Sequence, residues 1–185
     1  MAEIRTIAVI GAGSPGREIA YASVLGGYRT ILEDILPASL RNAAAELREH
    51  LARATDVGSV SEPEANAAFS RLEYATTVEQ AAREADLVIE AVPDEMESKI
   101  EIFTLLDKIC KPATILASNT SSFSVTEIAS VTYRAPKVLG MRLANTSVRK
   151  LLEMVRGRET SDETIAACAE VARRFGREAV IVDDR

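Results

Sequence analysis

Histidine is almost missing from this sequence: among 185 residues there is one, His50, and there are only two cysteines, Cys110 and Cys168. Zinc sites are built from Cys and His ligands set in close pairs. With no C-x-x-C and no Cys/His cluster, none is expected here. The two cysteines fall in helical patterns and read as small buried apolar residues of a reducing compartment. Long apolar runs are also absent. None approaches the ~20 residues a bilayer crossing requires, and no charged segment followed by an apolar one opens the chain. Neither a membrane span nor an export signal is expected, and the simplest location is the cytoplasm. Positive charge is short as well: 22 Lys and Arg face 28 Asp and Glu, giving a net charge of −6 and a pI near 5.0. No basic stripe is offered to a phosphate backbone, so no nucleic-acid partner is expected.

What is there is a balanced globular composition, 47% hydrophobic and 27% charged, in a chain long enough for one well-buried domain over residues 1–185. Short apolar runs alternate with longer amphipathic ones. That pattern predicts βαβ units and a doubly wound, mostly parallel sheet with helices on both faces. Strands are expected at Ile4–Ile10, Thr30–Asp34, Leu72–Ala75, within "DLVIEAV" and "ATILASN", and at Ala179–Val182. Helices are expected over about Pro15–Leu25, Leu36–Ala54, Glu95–Ile109 and Ser161–Phe175, the last closed by Gly176. Ser61 and Glu64 have capping-box spacing, Thr77 and Gln80 open a further helix, and Ser124 and Glu127 cap a short one. The stretch "KVLGMRLANTSVRKLLEMV" reads as a buried strand, Val138–Leu143, a polar turn at Asn145-Thr146-Ser147, and a second strand.

The segment "IAVIGAGSPGREIA" sets Gly11, Gly13 and Gly16 in G-x-G-x-x-G spacing between a strand and a helix. The glycines would allow a tight turn and a close approach of the backbone to a pyrophosphate, which the free N–H groups at the helix N-terminus favour. Asp34 ends the next strand, 18 residues after Gly16, where such folds place the acid that holds the adenosine ribose hydroxyls. A carboxylate there repels a 2′-phosphate, which favours NAD over NADP. Its neighbour Glu33 should point to the other side of the strand.

Together with "ILED", "ADLVIEAVPDEMESKIEIFTLLDKICKPATILASNTSS", "TEIAS" and "RGRETSDET", that loop makes the chain resemble the NAD-binding domain of 3-hydroxyacyl-CoA dehydrogenases over nearly its whole length. The resemblance implies a Rossmann domain of an oxidoreductase that moves a hydride between NAD and C3 of a 3-hydroxyacyl-CoA, in fatty-acid or polyhydroxybutyrate-type metabolism. It implies Gly11, Gly13, Ser14, Gly16 and Asp34 as cofactor-binding residues, with Asp94 and Lys99 on the nicotinamide side. It makes Ser121 the serine that touches cofactor and substrate, Asn145 an asparagine near the nicotinamide, and Glu153 the glutamate that orients a catalytic histidine. The family's all-helical domain, which supplies dimer contacts and part of the acyl-CoA pocket, is not matched by any segment of this sequence. An exposed apolar docking patch and a homo-oligomer are therefore expected.

The departures are as informative. The family motif G-x-H-F-F-N-P appears as Gly140-Met141-Arg142-Leu143-Ala144-Asn145-Thr146, so Arg142 stands at the catalytic histidine position. Arginine stays protonated and has no lone pair to offer, so it cannot accept an alcohol proton. Pro15 removes one loop N–H, and Glu18 replaces a glycine and brings negative charge that Arg17 can offset. His50 lies on the helix after the second strand and reads as a solvated residue. Three readings stand: an enzyme completed by a helical partner or self-association, with Ser121, Lys99 or water handling the proton; a non-catalytic NAD-binding module or subunit; and a degenerate, truncated homologue.

Overall fold

The computed structural model describes residues 3–145 and 149–184, so Thr146 and Ser147 of the expected turn, and Arg185, lie outside the described residues. Eight strands form one sheet in the order β3-β2-β1-β4-β5-β6-β7-β8. They are β1 (Thr6–Ile10), β2 (Arg29–Glu33), β3 (Leu72–Ala75), β4 (Leu87–Glu90), β5 (Ile115–Ser118), β6 (Val138–Asn145), β7 (Lys150–Arg156) and β8 (Glu178–Asp183). Every pairing is parallel except β6 with β7. Among the described residues seven α-helices connect them: α1 (Ser14–Leu25), α2 (Pro37–Asp56), α3 (Glu62–Ser70), α4 (Val78–Ala82), α5 (Met96–Ile109), α6 (Val125–Ala129) and α7 (Asp162–Arg174).

The central strands are apolar on both faces because helices cover both faces. Ile7, Val9, Leu87 and Ile89 pack towards α1 and α7, while Ala8, Ile10, Val88 and Leu116 pack towards α4, α5 and α6. The Val, Leu and Ile side chains among them stabilise the fold by roughly 1.5–3 kcal/mol each. The helix ends follow local chemistry. Ser61 and Glu64 form a reciprocal capping box, Ser161 caps α7, and Gly176 takes φ 66° where that helix stops.

The ends shift by a residue or two from the sequence expectation. Ile4 is buried but precedes β1, and Asp34 lies just past β2, where its N–H still bonds Ala75 O (3.2 Å). Asn145 is the last residue of β6, paired with Lys150, and so belongs to the strand. The sheet's outer strand, β8, leaves Ile181 51% exposed. No helix among the described residues is long and apolar enough to cross a membrane.

The topology fixes where a ligand can lie. From β1 the chain winds outward through β2 and β3, then returns to place β4 on the other side of β1. Open α/β sheets carry their crevice at such a reversal, beyond the carboxyl ends of the strands.

Candidate active site

A groove of about 840 Å³ opens at that reversal. Gly11, Gly13, Pro15 and Asp34 line it on the β1/β2 side, and Asp94, Asn119, Ser121 and Arg142 line it on the β4–β6 side. Ile35, Leu36, Val78, Val92 and Ile102 form apolar walls. A smaller cavity of about 330 Å³ at the opposite ends of the strands, against Ile4, Asp86 and Ile115, holds none of the expected site residues.

The glycine loop is tight for steric reasons. Gly11 has φ 101°, and a Cβ there would sit 2.8 Å from Ala91 O; at Gly16 it would sit 1.8 Å from Gly11 O. Helix α1 starts from Gly13 with no side-chain cap, so its first N–H groups are left to a ligand or water. Pro15 costs the helix nothing at this position, but it leaves the loop one donor fewer. The carboxylate of Asp34 organises the loop, accepting from Ala12 N–H (3.0 Å) and Leu36 N–H (2.8 Å). Two oxygens offer about four acceptor sites, so capacity remains.

Beyond β4 and β5 lies a buried polar network that the sequence reading missed in part. Glu90, at the end of β4, and Lys99, one turn into α5, are both fully buried. Lys99 Nζ donates to both carboxylate oxygens of Glu90 (2.9 and 3.1 Å), which also accepts from Ser118 Oγ (2.6 Å) and Val92 N–H (2.8 Å). The same ammonium lies 3.5 Å from Asp94. Asp94 in turn holds the loop after β5, accepting from Thr120 Oγ1 (2.8 Å), Ser121 Oγ (3.2 Å) and Ser122 Oγ (2.7 Å). Partial burial pushes the Asp94 carboxyl up, but the Ser122 and Thr120 hydroxyls and the Lys99 charge outweigh it and hold it at about 2. Lys99 is therefore a post behind the site and has no surface in the groove. Glu90 carried a readable signal, a lone acid closing the apolar run "LVIE".

Arg142 and Glu153 face each other across β6 and β7. Arg142 Nη2 donates to Glu153 Oε1 at 2.7 Å, with the two side chains 35% and 28% exposed. Arg142 Nε is buried without a hydrogen-bond partner. At this position an imidazole could take a proton; the guanidinium can only donate.

Ser14 and Asn145 are not brought into the groove. They line a neighbouring cavity of about 500 Å³ on the far side of α1, together with Arg17, Glu18, His50 and Arg177. Asn145 donates to Glu18 (3.1 Å) and accepts from Arg177 (2.9 Å), which also pairs with Glu18 (3.0 Å). The charge that offsets Glu18 is thus Arg177, not Arg17. Arg17 Nε lies 2.8 Å from Glu46, close enough for an ion pair but not aligned as a hydrogen bond. His50 packs edge-on against Tyr21 (5.5 Å), away from the groove. Burial pushes the thiols of Cys110 and Cys168 up to about 11 and about 12. Among the described residues no group of His, Cys, Asp and Glu could hold a metal.

A glycine turn into a helix N-terminus, an acid after β2 and a groove over the sheet reversal define a dinucleotide-binding domain of the dehydrogenase class. Residues 6–185 match the family model described as "3-hydroxyacyl-CoA dehydrogenase, NAD binding domain", and the chain belongs to that family, whose cofactor is NAD. A probable 3-hydroxybutyryl-CoA dehydrogenase of Bacillus subtilis is 41% identical over 183 residues, covering 98% of this chain and 63% of the relative. The crystal structure of a 3-hydroxybutyryl-CoA dehydrogenase from Escherichia coli K12 superposes with a TM-score of 0.93 at 31% identity, over 98% of this chain and 39% of that one. That of the (S)-3-hydroxybutyryl-CoA dehydrogenase from Ralstonia eutropha gives 0.92 at 33%, over 99% and 65%. The chain thus spans less than two thirds of the length of these relatives.

Proposed function

We propose that this chain holds NAD(H) along the groove as the cofactor half of a 3-hydroxyacyl-CoA dehydrogenase-type protein, and that its own residues do not take the substrate proton. The loop at Gly11, Gly13 and Gly16 binds the pyrophosphate, Asp34 takes the adenosine ribose, and the nicotinamide lies towards Ser121. NAD supplies the hydride acceptor; substrate orientation falls to the chain. Ser121, anchored by Asp94, positions an oxygen of an acyl-CoA substrate, and Arg142 offers that oxygen a donor. The observation that carries the reading is the Arg142–Glu153 ion pair at the groove end opposite Asp34. It reproduces a base-and-orienter arrangement with a group that cannot act as a base.

Loss of general-base help lowers rates by roughly 10²–10⁴. The test is NADH oxidation with acetoacetyl-CoA, followed optically, for the wild-type chain and Arg142→His. The variant restores a titratable group beside Glu153 and should gain on the order of 10² in rate. Wild-type turnover in the usual range of about 1–10³ s⁻¹ would contradict the reading. The exposed edge strand β8, with Ile181 and Val182 outward, supports a covering partner in this reading, a helical domain or a second copy. Sedimentation showing monomer alone at high concentration would remove the second copy.

A further inference from the structure

Two carboxyls sit side by side where β2 enters the groove, and they differ sharply in what satisfies them. Asp34 accepts two backbone N–H bonds. Glu33 is only 6% exposed and lines the groove beside Ile10, Val78 and Ile102. Among the described residues, no side chain donates a hydrogen bond to it, and the nearby Gly11 N–H bonds the main-chain oxygen of Glu33 at 2.9 Å. Burial, then the charge of Asp34, raises the Glu33 carboxyl from its ordinary 4.5 to about 7 against the Gly11 amide. Among the described residues no Lys or Arg pairs with it. Ile10 of β1 and Ala75 of β3 flank Glu33 in the sheet, and Val78 of α4 and Ile102 of α5 close the wall. The carboxyl is little exposed and opens only on the groove, where a ligand can bring it a side-chain-like donor.

Apolar walls with a carboxyl between them suit a planar base that carries an amine on its edge. Adenine presents the N6 amine and the N1 acceptor side by side. A neutral carboxyl can accept from the first and donate to the second, and an ionised one can accept from the first. We propose that Glu33 reads this edge of the adenine base, and so sets which dinucleotide the groove accepts. The inference rests on the NAD-binding reading above and adds to it a specificity-determining residue on the face of β2 opposite Asp34.

The experiment is a calorimetric titration of the chain with NADH and with its 1,N6-etheno analogue, in which both edge atoms are blocked. Wild type, Glu33→Leu and Glu33→Gln are compared at pH 6.5 and 8.5, with thermal melts confirming that each variant is folded. Glu33→Leu should bind NADH roughly tenfold more weakly, the worth of one or two net hydrogen bonds, while its affinity for the analogue stays put. The ratio of the two affinities therefore collapses in this variant. Glu33→Gln imitates the neutral acid, so it should match wild type at pH 6.5 and lose the weakening that wild type shows at pH 8.5. An unchanged ratio in Glu33→Leu, with NADH still bound, would overturn the inference and leave NAD binding intact. Failure of the wild-type chain to bind NADH would overturn both.

Discussion

Removing the ammonium of Lys99 tests whether the network behind the groove is held together by charge. In Lys99→Met the volume is roughly kept, but Glu90 is left as a fully buried carboxylate that has lost two donated hydrogen bonds, at 2.9 and 3.1 Å. Breaking a buried ion pair from one side costs about 3–5 kcal/mol. Glu90 retains the Ser118 hydroxyl at 2.6 Å and the Val92 amide at 2.8 Å, which places the loss near the lower end, about 3 kcal/mol. For a chain of this size, each kcal/mol lowers the melting temperature by about 2–4 °C, so a drop of about 6–12 °C is expected in a calorimetric melt. Adding Glu90→Gln should recover a large part of it, because the buried charge is then gone. A single variant melting within ~1 °C of wild type, or a double variant no better than the single one, would refute the account of Glu90 as a carboxylate that needs its partner.

Three further outcomes follow from particular contacts. Glu33 has a folded pKa above its unfolded one, so the folded state binds more protons and this residue's contribution falls as pH rises from 4.5 to about 7. The rise is worth at most about 3 kcal/mol. Water reaching the carboxyl through the groove reduces that to about 2 kcal/mol, so Glu33→Leu should gain about that much in urea stability at pH 8 and much less at pH 5. Asp184 accepts from Ser124 Oγ (2.7 Å), Val125 N–H (3.1 Å) and Thr126 N–H (2.7 Å) and so caps α6 from the far end of the chain. Asp184→Ala should cost about 2 kcal/mol in chemical denaturation. Partial burial raises that carboxyl, but the Thr126, Ser124 and Val125 donors outweigh it and lower it overall. Its stabilisation is therefore present at neutral pH and lost as pH falls into the acid range, and wild type and Asp184→Ala should converge there.

The elements were legible because each rests on a local rule. Alternating buried strands and helices, the Ser61–Glu64 box, and Gly176 after α7 are set by residues within a few positions of one another. Gly11, Gly16 and Asp34 belong to a motif with fixed spacing, and the groove forms around them. The pairings that shape the rest of the site join distant residues that local patterns do not relate. Lys99 meets Glu90 across a strand and a helix, nine residues apart, and Arg177 meets Glu18 across 159. Arg142 and Glu153 become opposite only through the register of an antiparallel pair. Glu33 is the instructive case. Period-two alternation sends it to the face away from Asp34, yet at the carboxyl end of a strand both faces open onto the same crevice, so the far face also meets the groove.

The groove is expected to hold NAD(H) despite Pro15 in its loop. A calorimetric titration of the purified chain with NADH decides this. Binding in the micromolar range is expected, with loss in Asp34→Ala, whose side chain orders the Ala12 and Leu36 amides. No heat of binding up to millimolar NADH, or equal affinity in the variant, would contradict it.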